Sequence, residues 1–178
     1  LLEGKVDAID THSKTWQHLQ EDTGKIAAIE DLSRHPDWRL QANNEPAVIT
    51  CSDVMAEQHP ELVVTFLKAM IKVGRWANEH KHAAAAILDR QTYYRDVEDT
   101  YQNIKLVDMV PSLSPKNLAQ IEIGKDFMLE HGYIQRDFDV HAWAAPEFLE
   151  RAAKELIEER WEKATAAKLP LATMVRLG

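Results

Sequence analysis

From His59 onward the apolar residues recur every three or four positions, and the pattern continues almost to the end of the chain. That period belongs to helices with one buried face. In a chain of 178 residues it leaves little length for anything else. "HPELVVTFLKAMIKVGRWANEH", His59 to His80, has Pro60 at a first helical position and Glu61 in the first turn, where fixed φ and negative charge both suit a helix start. Val63, Phe66, Leu67, Met70, Ile71 and Gly74 then mark its predicted buried face. A second helix is predicted over His80–Thr92 and a third over Val97–Ile104.

Further along, Ser114 and Pro115 open a helix that Gly132 closes. The last helix runs from Pro146 to Lys168, with Leu149, Ala153, Leu156, Ile157, Trp161 and Ala164 on its apolar face. Glu147 and Arg151, Glu150 and Lys154, and Glu159 and Lys163 stand four apart, so its charge run reads as a solvated face.

The first third reads differently. Val6 to Ile9, Lys25 to Leu32 ("KIAAIEDL") and Pro46 to Val54 ("PAVITCSDV") are short apolar or β-branched runs and are predicted as strands. Between the first two, Asp10 or Thr11 caps a helix carrying Trp16 and Leu19, which Thr23-Gly24 ends. Ser33 to Glu45 is polar, broken by Pro36, and reads as a connection. So few strands beside so many helices cannot form a covered sheet unless further strands are supplied. Either another chain or a missing N-terminal half would have to supply them.

Charge excludes one class of partner. The chain carries 29 acidic and 21 basic residues, a formal net charge of −8 with no basic stripe, so nucleic acid is not expected. Any anion site must be local. Cys51 is the one cysteine, so no intrachain disulfide forms. Its nearest histidine in sequence is His59, which leaves the thiol without an evident activating base, and it reads as a small core residue. His80 and His82 stand two apart, which points their rings to different sides of a helix and does not suit a shared metal. Neither a metal nor a cofactor is implied, and no catalytic residue is assigned.

"GKVDAID", Gly4 to Asp10, resembles the stretch that closes the second lobe in periplasmic binding proteins of the nitrate, sulfonate and taurine type. The segment from Ala47 to His80 is similar to that family's return strand and long helix. "WAAPEFL", Trp143 to Leu149, and "FMLEHGYIQ", Phe127 to Gln135, are similar to the C-terminal part of sulfinate desulfinases built on the same fold.

The resemblance implies an α/β fold of two periplasmic-binding-protein-like lobes of type II, with a ligand in the cleft between them. On that fold residues 1–32 would end lobe two, 33–45 would cross between lobes, and 46–178 would be the C-terminal helical part of lobe one. The first half of the family's chain, where the desulfinase cysteine, histidine and arginine lie, would precede Leu1.

The function implied is that of a periplasmic solute receptor for a small anionic or sulfur- or nitrogen-containing compound, delivering it to the membrane permease of an ABC transporter. The alternative is a desulfinase-like C–S bond hydrolase, which would place the protein in the cytoplasm. Asp10, Thr11, His12 and Ser13 follow the Val6 to Ile9 strand, where a helix N-terminus would face the crevice, and they are the expected ligand contacts. The family's proline beyond this point is absent, although Trp16 is present.

Overall fold

A computed structural model describes residues 1–9, 11, 13–30, 36–37, 39, 48–91 and 96–167. Its helices are α1 (Ser13–Thr23), α2 (Asp53–Gln58), α3 (Pro60–Glu79), α4 (Lys81–Leu88), α5 (Val97–Ile104), α6 (Pro115–Glu130), α7 (Val140–Trp143) and α8 (Pro146–Ala166), with a 3-10 turn over Asp89–Gln91. The chain divides into two compact units. One comprises Leu1–Glu45 with His82–Leu106, the other Pro46–Lys81 with Val107–Gly178.

No β-strand occurs among the described residues, which overturns the α/β two-lobe expectation. Val6 to Ile9 is irregular, Lys25 to Glu30 is irregular, and Val48 to Ser52 leads directly into α2. The physical reason lies in pairing. A β-branched run becomes a strand only beside a partner that completes its hydrogen-bond ladder. These runs have none among the described residues, and Val6, Ile9, Val48 and Ile49 are about half exposed while Ile29 is 86% exposed.

The second unit is built on the packing of α3 against α8. Val64, Leu67 and Ile71 recur at three and four, which places them on one stripe of α3, and they bury against Ala152 and Leu156 of α8. Val63, Val110, Phe148, Leu149 and Ala153 flank that core. The buried stripe continues through Gly74 and Ala77. It lies to one side of the predicted face: Phe66 is half exposed, and Val64 takes the central place at 1% exposure. On α8, Leu156 and Ala164 are buried as predicted, whereas Ile157 and Trp161 are half exposed.

The charges of α8 are not simply a solvated face. Lys68 of α3 reaches Glu155 at 3.0 Å and also pairs with Glu159, while Lys72 lies 3.5 Å from Glu159. Arg151 donates to both oxygens of Glu61 at 2.7 Å and to Glu155 at 2.8 Å. Ion pairs in both directions between α3 and α8 therefore flank the apolar core. Lys68 holds the Glu155 and Glu159 carboxyls below their usual range, with Arg151 adding to the effect on Glu155.

Helix ends follow the sequence signals closely. Ser114 accepts from the Asn117 amide at 3.3 Å, Pro115 begins α6, and Gly132 takes φ 74° just past its end. The Tyr133 amide then donates to Met128 at 2.8 Å, closing the last turn. Gly24, at φ 63°, ends α1, and its amide donates to the Gln20 carbonyl at 2.7 Å.

Lys125 is the buried residue of α6, 4% exposed. Glu122 at 2.7 Å, Asp137 at 2.9 Å and Asp126 at 3.0 Å surround its ammonium group, and these hydrogen bonds, Glu122 first, push it well above the ordinary lysine range. Burial of that charge is compensated by three carboxylates. Beyond α6, Asp139 caps α7 through the His141 and Ala142 amides, while Trp143 stands half exposed, edge-on to Phe138 at 5.8 Å.

Among its described residues, the first unit shows polar and aromatic contacts. His18 of α1 meets Asp99 of α5 at 2.6 Å, with their side chains 20% and 13% exposed. His82 of α4 stacks on Tyr101, ring centroids 3.6 Å apart, and Thr100 donates to Asp89 at 3.3 Å. Asp96 caps α5 by accepting from the Asp99 amide at 2.9 Å. Among the described residues of this unit, Ala84, Ala85, Thr100 and Ile104 are buried.

Candidate functional site

The candidate site is a groove in the second unit, and its existence depends on a glycine. Gly74 faces the chain at Met109 so closely that a Cβ on it would overlap the Met109 carbonyl and lie 2.9 Å from the Val110 Cα. Only glycine permits that approach. Polar bonds hold the segment there. The Met109 amide donates to Asn78 Oδ1 at 3.0 Å, Asn78 Nδ2 donates to Asp108 at 2.7 Å, and Lys81 donates to Asn78 at 2.9 Å and to the Val107 carbonyl. The Val110 amide donates to Asp108 at 3.0 Å, and that bond, followed by the one from Asn78, lowers the Asp108 carboxyl from its ordinary value.

With this segment pinned over the end of α3, residues 110–114 form one wall of a groove of about 410 Å³. Ile71 and Arg75 of α3 form its second side, and Pro146, Leu149, Glu150 and Ala153 of α8 form its third. Most of the lining is apolar. Ser112 and Ser114 are already engaged: the Ser114 amide donates to Ser112 Oγ at 3.2 Å, and Ser114 Oγ caps α6.

Two charged groups remain, Arg75 and Glu150. Among the described residues, neither forms an ion pair with any other group. Arg75 differs in this from Lys68 and Lys72 on the same helix, which are both taken up by α8 carboxylates. An arginine that is itself half-buried and lines an apolar surface is suited to an anionic group attached to an apolar body.

The sequence did not single out Arg75. Its signal was slight: a cation four residues beyond Ile71 and one beyond Gly74, at the end of the apolar stripe. What makes it a site residue is the crossing of Met109 and Val110 over Gly74, a long-range contact that helical period does not encode.

Of the expected ligand contacts, Thr11 is half-buried just ahead of α1, and Ser13 is the first residue of α1. Asp10, His12 and the side chain of Ser13 lie outside the described residues. Cys51 is exposed, which corrects its expected core position; the segment around it carries no sheet to bury it. His80 packs beside Trp76 with ring centroids 5.5 Å apart, and His82 stacks on Tyr101. Among the described residues, no group of three or more His, Cys, Asp or Glu side chains could hold a metal ion. No helix among them is long and apolar enough to cross a membrane.

The described residues thus form a helical protein of two units, with a three-sided groove bearing one unpaired cation. Its sequence is similar to 2'-hydroxybiphenyl-2-sulfinate desulfinase of Rhodococcus erythropolis, with 29% identity over 115 residues, 61% of this chain and 30% of that protein. The desulfinase of the same name from Rhodococcus qingshengii matches over the same shares, also at 29% identity. The match spans less than a third of the length of these curated relatives. No family model matches the chain, so the binding-protein superfamily gains no support. No solved structure matches it either.

Proposed function

We propose that the chain is part of a desulfinase-like hydrolase that cleaves the carbon–sulfur bond of an aryl sulfinate. The single observation that carries this reading is the 29% identity to 2'-hydroxybiphenyl-2-sulfinate desulfinase over 115 residues. In such a reaction the carbon–sulfur bond breaks, a proton replaces sulfur on the ring carbon, and the oxygen of water goes to sulfur. An aryl sulfinate and water thus give an arene and hydrogen sulfite. No oxidant, metal or redox cofactor is needed to balance it.

The covalent step is assigned to no residue of this chain. What the chain offers is recognition: apolar walls from Ile71, Val110 and Leu149 suit an aryl ring, and Arg75 suits the negative charge. This reading departs from the solute-receptor expectation, for which no specific feature of the groove speaks. The test is incubation of the protein expressed from its complete gene with 2'-hydroxybiphenyl-2-sulfinate, followed by chromatography of the aromatic product. Formation of 2-hydroxybiphenyl is expected. Unchanged sulfinate, with the protein folded, would refute the proposal.

A further inference from the structure

We infer that the Arg75 groove is a binding site for amphipathic aryl monoanions, in which the ring system lies along the apolar walls and the anionic group pairs with the Arg75 guanidinium. The inference deepens the desulfinase reading, and it rests on that reading for the choice of a biphenyl ring system. The groove itself rests on the geometry alone.

Three features set its chemistry. First, the lining is largely apolar, drawn from Ile71, Val110, Leu113, Pro146, Leu149 and Ala153 across three separate segments. Burying a flat ring on such a surface is favourable in proportion to the apolar area removed from water. Second, Arg75 is half-buried and forms no ion pair among the described residues, whereas the neighbouring cations Lys68, Lys72 and Lys81 all have polar partners. An anion that pairs with Arg75 therefore displaces no protein carboxylate. The fork of guanidinium N–H donors matches the two oxygens of a sulfinate or carboxylate.

Third, Glu150 lies on the α8 side of the same groove. Like charge repels an anion there, which favours one orientation: anionic end toward α3, ring toward α8. A dianion, or a ligand charged at both ends, meets Glu150 and is disfavoured. A neutral biphenyl gains only the apolar part of the binding energy.

The groove is also built to persist. Gly74 admits the Met109 backbone, and Asn78 and Asp108 bind that segment through both side-chain and backbone groups, so the wall does not have to form when a ligand arrives. Preorganisation of this kind lowers the cost of binding.

The experiment is calorimetric titration of the protein from its complete gene with biphenyl-2-carboxylate, which no desulfinase can cleave, and with neutral 2-phenylphenol. The carboxylate should bind more tightly than the phenol. Arg75→Ala should weaken the carboxylate roughly tenfold to a hundredfold, the range for losing a hydrogen bond to a charged group, and should leave the phenol nearly unchanged. Arg75→Lys should retain part of the preference, since it keeps the charge but loses the fork. Equal affinity for the two probes in the wild-type protein would overturn the inference even if Arg75→Ala fails to fold. So would a folded Arg75→Ala protein whose carboxylate affinity is unchanged. Arg75-dependent binding without cleavage of the sulfinate would leave the site standing and remove the desulfinase reading; cleavage without Arg75-dependent binding would do the reverse.

Discussion

The two units differ in what holds them together. In the second, an apolar stripe of α3 meets α8 over Val64, Leu67, Ile71, Ala152 and Leu156, and ion pairs flank it. In the first, the described contacts are a histidine–carboxylate pair, a stacked histidine and tyrosine, and a threonine–aspartate bond, with Ala84, Ala85, Thr100 and Ile104 buried among the described residues. Apolar burial scales with area and adds along a seam, while a single hydrogen bond to a charged group adds about 1.5–3 kcal/mol net. The α3–α8 seam is therefore expected to resist unfolding more strongly than these contacts, and it lies in the unit that carries the groove.

The largest effect that could break this contrast is in the α3–α8 core. Leu67→Ala removes most of a buried side chain within the seam and should cost about 2–5 kcal/mol, read from chemical denaturation. A loss below about 1 kcal/mol would mean that the seam does not dominate the unit.

Next comes the groove wall. Gly74→Ala forces a methyl group against the Met109 carbonyl and should cost about 1–3 kcal/mol, as overpacking does. Amide exchange at Met109 and Val110 should rise at the same time. If stability and exchange are both unaltered, the close approach at Gly74 is not a feature of the folded protein.

In the first unit the corresponding change is smaller and local. Asp96→Ala deletes the N-cap of α5 and should cost about 1 kcal/mol, with faster exchange confined to the first turn of that helix. A global loss equal to that of Leu67→Ala would erase the distinction between the units.

Acid sharpens the comparison through the flanking charges. The carboxyls of Glu155 and Glu159 are depressed in the folded state, so their contribution to stability is present above the unfolded glutamate value of about 4.3 and is lost as pH falls through their folded values. Thermal midpoints should hold from pH 7 to pH 5 and decline below about pH 4.3. In Lys68→Met, which removes the leading cause of both shifts, the decline should be shallower.

Helices were legible where local chemistry marks both ends. α6 starts after Ser114 and stops before Gly132, and α1 stops at Thr23-Gly24. Each of those signals is a cap or a dihedral preference that acts within a few residues. The runs Val6 to Ile9 and Val48 to Ile49 misled for the opposite reason: a strand is defined by its partner, and β-branched residues alone do not supply one. Phe66 was misplaced because period identifies the apolar side of a helix, while the packing of α8 selects the stripe within it. Arg75 escaped notice because its setting comes from Met109 and Val110, brought over Gly74 by folding.

The central functional claim is tested most directly by measuring sulfite and 2-hydroxybiphenyl together after incubation of the purified full gene product with 2'-hydroxybiphenyl-2-sulfinate. A desulfinase-like hydrolase releases the two in equal amounts, in proportion to enzyme and time. Neither product above a heat-inactivated control, from protein shown to be folded, would contradict it.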